Sequence, residues 1–216
     1  MPGQKSASLI AVGALFLICA GVWSIILWPD PATVKTIDAQ IFGTKESRVA
    51  ALLAAVDPAP LDKPTKAAGC AIAGALPDHA CTPGSVFASA TPEMICVSGY
   101  TKRVRSVSTA LRKRVYAAYN IAYPPKTGTY ELDHFIPLAL GGDNSAANLF
   151  PEAAEPSPGF KEKDVVEVYL HEEVCAGRVN LAAAQTAIAR DWTAVYDAIE
   201  KSEVSRIKRK YTSWAN

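Results

Sequence analysis

The sequence has little net charge and no repeated pattern. Its 22 Lys and Arg residues nearly balance 21 Asp and Glu residues, so the formal net charge of +1 indicates no particular class of partner. No internal repeat, heptad run or extended low-complexity tract is present, which excludes repeat and coiled-coil architectures. Half of the 216 residues are apolar, and a chain of this length predicts one folded domain with a tail.

The five cysteines include no closely spaced pair, which argues against a structural zinc site. Cys19 lies in an apolar run, and the other four are Cys70, Cys81, Cys96 and Cys175. An even number of widely spaced cysteines favours two disulfides in a compartment outside the cytoplasm. Free buried thiols in a cytosolic protein are the alternative, and the spacing alone leaves the connectivity open.

Residues 8–28 contain no charged side chain, and a run of about 20 apolar residues can cross a bilayer as a helix. The sequence after Leu27 lacks a good cleavage site, so we expect an uncleaved signal anchor, with a cleaved signal peptide as the alternative. Lys5 favours a cytoplasmic location for residues 1–7. The body of the protein is then expected on the periplasmic or extracellular side, or secreted if the segment is cleaved.

The rest of the chain divides into a linker, a domain and a tail. Residues 29–66 predict a stalk or linker that contains a helix and ends in a proline-rich segment. Residues 67–204 contain most of the motifs and are the expected domain, whereas residues 205–216 are expected to be a basic tail. Apolar spacing predicts helices at residues 106–119, 160–175, 180–192 and 193–203, the third with Asn180 as its cap.

Residues 130–152, YELDHFIPLALGGDNSAANLFPE, contain the densest group of candidate functional residues. The alternation that leads to Asp133 and His134 predicts a short strand, and residues 141–144 form a strong turn signal. Asn148 begins a second short strand, which we expect Pro151 to end. With the helix that follows, the pattern predicts a strand, a long loop, a second strand and a helix.

These motifs resemble those of the HNH endonucleases, in particular their small secreted bacterial branch. The resemblance rests on D-H-x-I-P-L-x-L-G-G from Asp133, N-L-x-P-E from Asn148 and K-D-x-x-E-x-x-L-H from Lys163, and it covers about residues 80–195. It implies an α+β fold in which a ββα-metal (HNH) finger is embedded in a mostly helical, disulfide-braced domain. One N-terminal transmembrane helix would precede that domain.

The resemblance implies catalytic roles for His134 and Asn148. An imidazole with an ordinary pKa of about 6.5 can accept a proton from an attacking water near neutrality, so His134 is the expected general base. Asn148 is expected to hold the loop and the base through hydrogen bonds to the backbone. No histidine follows Asn148 at short range. The third signature residue therefore stays open among Lys163, Glu167 and His171, which share one helix face at four-residue spacing.

A divalent metal ion is the implied cofactor. Asp133 is the expected metal-binding acid, and Glu167 is an oxygen ligand suited to Mg²⁺, the ion we favour. His171 is the alternate ligand and would instead suit Zn²⁺, Ni²⁺ or Mn²⁺. Lys163 could hold a phosphate without any role in metal binding.

A basic stretch upstream is expected to contact nucleic acid, because Lys and Arg pair with phosphates without reading the base sequence. An ordinary solvated helix face is the alternative. The candidate phosphate-binding residues in this stretch are Arg103, Arg105, Arg112, Lys113 and Arg114.

The implied finger has little core of its own, and this favours one disulfide pairing. A bond between Cys96 and Cys175 would join the end of its helix to the segment before the basic helix. Cys70 and Cys81 would then close a small loop.

The sequence therefore predicts a metal-dependent endonuclease that hydrolyses phosphodiester bonds with low sequence specificity, DNA being a more expected substrate than RNA. The membrane would be a second partner, through the N-terminal helix. A different class stays open: a membrane-tethered module that keeps the HNH fold and binds nucleic acid, or serves a structural role, without catalysis.

Overall fold

The computed structural model describes residues 45–56, 58 and 61–211. The transmembrane helix predicted at residues 8–28 lies outside these residues. Within the described part of the chain, no helix combines the length and the apolar character needed to cross a membrane.

The described residues form seven α-helices and one two-stranded antiparallel sheet. Short 3₁₀ helices at Leu138–Leu140 and Ala146–Asn148 lie between the two strands. The elements in chain order are α1 (Lys45–Ala54), α2 (Pro92–Ile95), α3 (Tyr100–Val104), α4 (Thr109–Ala118), β1 (Tyr130–His134), β2 (Leu149–Ala153), α5 (Phe160–Cys175), α6 (Leu181–Ala198) and α7 (Lys201–Lys210). The mixed helix-and-strand class predicted from the sequence is confirmed.

Strands β1 and β2 pair from Tyr130 opposite Ala153 to His134 opposite Leu149. The prediction that Pro151 ends the second strand is wrong, because β2 continues to Ala153. Proline has no N–H to donate, but both strands of a two-stranded sheet are edges, so Pro151 can lie opposite Leu132 within the sheet.

Helix α5 has the predicted bounds and packs against α6. The Asn180 side chain caps α6 by accepting a hydrogen bond from the N–H of Ala183 at 3.2 Å. The apolar stripe of α6 and the residue after it is buried at Leu181, Ile188, Trp192, Val195 and Ile199. The core of the domain therefore lies between α5 and α6, beneath the sheet and loop that hold the candidate site.

The predicted helix at residues 193–203 does not exist as one element. Helix α6 is kinked at Asp191, whose backbone is extended and whose carboxylate accepts hydrogen bonds from the N–H groups of Thr193 and Ala194. That carboxylate acts as a cap for the last turns of α6, which end at Ala198.

The domain boundary predicted after residue 204 falls inside α7. The prediction of a separate basic tail from residue 205 is therefore wrong for residues 205–210, which belong to this helix. Ile207 is fully buried, and Arg206 pairs with Glu172 of α5 and with Glu203. These contacts hold α7 against α5 through residue 210.

Two further boundaries differ from expectation. Helix α4 begins later than predicted because the Ser108 side chain accepts a hydrogen bond from the N–H of Leu111 at 3.2 Å and so caps the helix at that point. Within the predicted stalk, α1 packs on α6 through the buried residues Val49 and Leu53. This part of the stalk belongs to the domain.

Both predicted disulfides are present. Cys70 is joined to Cys81 and Cys96 to Cys175, with Cα–Cα distances of 6.1 and 5.6 Å. The second bond connects the end of α2 to the end of α5 across 79 residues of sequence.

Candidate functional site

The candidate site is built around the ammonium group of Lys163, which is fully buried. Its Nζ donates hydrogen bonds to Asp133 Oδ2 at 2.6 Å, Glu167 Oε1 at 2.6 Å and the carbonyl oxygen of His134 at 2.9 Å. An ammonium group has three protons, and these contacts use all of them. Lys163 therefore joins β1 to α5, and the phosphate contact considered for it does not fit this arrangement.

The two carboxylates bonded to Lys163 titrate in opposite directions. Burial is the largest influence on Asp133 and opposes its ionisation, but the charge of Lys163 and the hydrogen bonds from Lys163 and Glu152 together outweigh burial and lower the pKa of Asp133 to about 2. Burial dominates at Glu167 and raises its pKa to about 7, although Lys163 favours the charged form. One cation faces two acids, so the arrangement favours an ionised Asp133 and a Glu167 that takes up a proton near neutrality.

Glu152 on β2 is a third acid in this cluster, and sequence reasoning missed it. Its side chain is fully buried, with Oε2 at 3.7 Å from Lys163 Nζ. Neither oxygen receives a hydrogen bond from the described residues. Burial raises the pKa of Glu152 well above its usual range, which favours a neutral carboxyl that can donate its proton to Asp133. The only available signal was its position at the end of the N-L-x-P-E motif.

The side chain of His134 is buried and bonded to Asn144. Its Nε2 lies 3.1 Å from Asn144 Oδ1, while Asn144 donates through Nδ2 to the carbonyl oxygen of Val104 at 2.8 Å. The same Oδ1 accepts the N–H of Ser106 at 3.1 Å, which orients the amide. Since Oδ1 can only accept, Nε2 of a neutral His134 carries the proton and Nδ1 is left as the proton acceptor.

Burial lowers the pKa of His134, so its neutral form is favoured at neutral pH. A neutral imidazole with one nitrogen committed to Asn144 is a base of defined tautomer. Sequence reasoning treated Asn144 only as a turn residue, and nothing in the local pattern indicated its bond to the histidine.

Asn148 is fully buried and holds the loop between the strands closed. Its Oδ1 accepts the N–H of Ile136 at 2.8 Å, and its Nδ2 donates to the carbonyl oxygens of Ile136 and Asp143, each at 2.9 Å. The loop is closely packed around this amide. A Cβ at Gly142 would lie 2.8 Å from Asn148 Nδ2 and 1.8 Å from Ile136 O. Asn148 therefore contacts the backbone beside His134.

Asp133, His134, Glu167 and His171 all line one cavity of about 350 Å³. A neighbouring cavity of about 390 Å³ is lined by Asp133 and Glu167 together with Asp164, whose pKa burial raises to about 7. A larger cavity of about 740 Å³ between α1, α5, α6 and α7 contains none of these five residues. The candidate catalytic and metal-binding side chains therefore lie at these two smaller cavities. The cavities share a carboxylate wall formed by Asp133, Asp164 and Glu167.

The predicted basic residues do not act as one group. Arg105 lines both small cavities and Arg112 lines one of them. Arg103 donates to a main-chain carbonyl oxygen at 3.0 Å, and it and Lys113 are exposed outside these cavities. Arg114 borders a different cavity, beside the Cys70–Cys81 disulfide. The structure thus places two of the five basic side chains next to the carboxylates.

The carboxylates of Asp133 and Glu167 suit a metal ion that retains much of its hydration shell. Asp133 and Glu167 each bond to Lys163 through one oxygen, which leaves one oxygen on each that Lys163 does not use. In the described part of the chain they do not form a three-ligand cage, since the one such group found there consists of Cys96, His171 and Cys175. Mg²⁺ is commonly held by one or two carboxylates with waters and substrate phosphates, and this donor set suits it.

His171 lies at the far end of the cavity, beside the disulfide. Its Nε2 is 3.2 Å from the carbonyl oxygen of Ile95 and 3.4 Å from Cys175 Sγ. The donor atoms of Cys96, His171 and Cys175 lie within 4.8 Å of one another and could hold a metal ion. Both sulfurs are joined in the disulfide, however, and metal coordination by cysteine requires thiolates.

No protein-family model, curated protein or solved structure matches this chain. Function is therefore inferred from the residues and their geometry.

Proposed function

We propose that the protein is an HNH-type, metal-dependent endonuclease that hydrolyses phosphodiester bonds of DNA, or of RNA, with low sequence specificity. The observation that carries the proposal is the position of His134, oriented by its bond to Asn144, next to Asp133 at the end of one strand, where burial favours the neutral imidazole. Both side chains line a cavity that Arg105 also borders. A strand pair followed by α5 places them there, in the order the HNH resemblance implies.

His134 is the general base of the proposed reaction. Its Nδ1 accepts a proton from the attacking water, while Nε2–H stays bonded to Asn144 Oδ1. The charge that develops on the imidazolium is stabilised by the nearby Asp133. Asn148 keeps the base in place by closing the loop that follows β1.

Asp133 and Glu167 would hold the divalent ion through the oxygens that Lys163 does not use. A bound metal ion stabilises charge on a phosphate oxygen and on the leaving oxygen. Mg²⁺ is the preferred ion, with Mn²⁺, Ni²⁺ or Zn²⁺ as alternatives. Lys163 fixes the spacing of the two acids, because it bonds to both at 2.6 Å.

Arg105 and Arg112 would hold the phosphates of the substrate. They border the carboxylate wall and offset its negative charge, which would otherwise repel a nucleic acid. Phosphate contacts carry no information about base sequence, so low specificity follows.

Two disulfides support a location in an oxidising compartment. Together with the apolar run at residues 8–28, this favours a membrane-anchored protein whose domain lies on the periplasmic or extracellular side, or a secreted one if that run is cleaved.

A nucleic-acid-binding or structural module without catalysis is the second candidate. The observation that favours it is the Lys163 ammonium, which occupies the space between Asp133 and Glu167 where a closely held metal ion would lie. Such a module would retain the arginines and the fold but lack turnover.

Plasmid nicking by the full, oxidised chain distinguishes the two candidates. Wild type, His134→Ala and the control His79→Ala would be assayed with Mg²⁺, Mn²⁺, Zn²⁺ or EDTA. His79 lines neither small cavity, although its ring packs on Phe135, the residue after His134, at 5.5 Å between centroids. Its variant therefore controls for loss of an imidazole near the base and should keep most of the activity. We expect metal-dependent nicking that His134→Ala lowers by about 10²–10⁴-fold. Equal inertness of all three proteins with every metal, together with retained DNA binding, would establish the binding module instead.

A further inference from the structure

The Cys96–Cys175 disulfide lies beside the imidazole of His171, whose Nε2 is 3.4 Å from Cys175 Sγ. His171 precedes Cys175 by one helical turn on α5, so both side chains emerge on the same face. Cys96 lies at the end of α2, and the three donor atoms fall within 4.8 Å of one another. In the described part of the chain, the Cys70–Cys81 bond belongs to no such group.

The two cysteines are also accessible. Cys96 and Cys175 are exposed, whereas Cys70 and Cys81 are buried at 4% and 7% exposure. A reductant can therefore reach the Cys96–Cys175 bond first, because thiol–disulfide exchange depends on access to the sulfur.

Reduction would change the chemistry of this cluster. Two thiolates and one imidazole nitrogen are three of the four ligands of a tetrahedral zinc site, with water as the fourth. We propose that reduction of the Cys96–Cys175 disulfide by a dithiol converts Cys96, His171 and Cys175 into a binding site for Zn²⁺. The ion would connect α2 to α5 at the point where the disulfide connects them.

The dithiol transfers two electrons to the disulfide, becomes a disulfide itself, and leaves two thiols on the protein. Binding of Zn²⁺ then releases one proton from each thiol to solvent. His171 exchanges its contact with the Ile95 carbonyl oxygen for the metal and binds through Nε2, with the ring proton on Nδ1.

This inference does not depend on nuclease activity, and its test measures metal binding. The full chain would be reduced with a water-soluble phosphine, freed of metal and titrated with Co²⁺, which gives a thiolate-to-metal absorption band. Zn²⁺ would then be added in competition with a chromophoric chelator. The proteins compared are wild type, His171→Ala, Cys96→Ser and, as the matched control, His79→Ala, which removes the histidine inside the Cys70–Cys81 loop.

We expect the reduced wild-type chain to bind one Zn²⁺ more than the oxidised chain, and only the reduced chain to show the thiolate-to-Co²⁺ band. The affinity should fall by at least about tenfold in His171→Ala and in Cys96→Ser, and it should not change in His79→Ala. If reduction unfolds the chain, Zn²⁺ should restore the helical circular dichroism of wild type and fail to restore that of His171→Ala.

Three results would overturn the inference. One is a folded, reduced chain that binds no more Zn²⁺ than the oxidised chain, and another is equal affinity for the additional ion in wild type and His171→Ala. The third is a reduced chain that stays unfolded when Zn²⁺ is added.

Discussion

Helix α5 carries two functional groups on one face, and they differ in burial. Lys163 and Glu167 belong to the amino-terminal half, where the ammonium is fully enclosed by carboxylates. His171 and Cys175 belong to the carboxy-terminal half, where the disulfide is exposed. The spacing along the helix is the same in both halves. What surrounds each half therefore decides whether it holds a buried charge network or an accessible sulfur–imidazole group.

Removing the cation at the buried end should have the largest effect. Lys163→Met leaves Asp133, Glu167 and Glu152 without a counter-charge, and loss of one partner of a buried ion pair costs about 3–5 kcal/mol. The free energy of unfolding, measured by urea denaturation, checks this. Lys161→Met, an exposed lysine on the same helix, is the control and should change it little. A loss in Lys163→Met no larger than in the control would contradict the network.

Removing the covalent bond at the exposed end should have the next largest effect. We expect Cys96→Ser with Cys175→Ser to lower the free energy of unfolding by about 2–4 kcal/mol. The pair Cys70→Ser with Cys81→Ser is the matched control. Because the first bond spans 79 residues and the second spans 11, the first substitution should cost more. The reverse order in thermal or urea unfolding would show that loop entropy does not set the difference.

Glu167, the acid that follows Lys163 by one turn in the buried half, should give a smaller effect that depends on pH. Burial raises the pKa of Glu167 to about 7, so the folded protein holds this proton more tightly than the unfolded chain does. The resulting stability is complete below the unfolded pKa of about 4.5 and is lost as the pH rises through about 7.

Glu167→Gln removes this titration. With EDTA present, the stability of wild type relative to the variant should fall by an amount on the order of 1–3 kcal/mol between pH 4.5 and 8. Glu155→Gln, at an exposed glutamate, is the control and should show no such trend. A difference between wild type and Glu167→Gln that does not change with pH would disprove the raised pKa.

The arginines beside the buried end should give the smallest effect. Under the proposed function, Arg112→Gln removes about one phosphate contact, so the salt dependence of DNA affinity should weaken by a slope of about 1. Arg103→Gln, outside both cavities, is the control for charge alone. Equal slopes for the two variants, measured by fluorescence anisotropy between low and moderate salt, would show that the cavity is not the binding surface.

Local pattern was sufficient for much of the fold. The apolar period gave the bounds of α5 correctly, and Asn180 was identified as a cap because its effect is confined to one helical turn. A predicted helix start was wrong where a side chain inside the predicted range caps the helix, as Ser108 does at α4. The predicted end of β2 at Pro151 was wrong because a strand can continue through a proline when it is an edge strand, and this sheet has only two strands.

The candidate site was only partly predictable. The D-H pair and the four-residue spacing on α5 marked Asp133, His134 and Glu167. The roles of Lys163, Glu152 and Asn144 could not be predicted, since each depends on a partner brought close by folding. Lys163 looks like a phosphate ligand in the sequence and is a buried cation in the structure.

The sequence by itself determined the secondary structure around the site, the row of residues on α5 and the number of cysteines available for pairing. These follow from helical and strand periods, which act over a few residues. Only the tertiary structure decided the pKa shifts of the site and the hydrogen bond that orients His134. Burial and long-range contacts set them, as when α5 meets β1 at Lys163 and Asp133, or when the loop places Asn144 against His134.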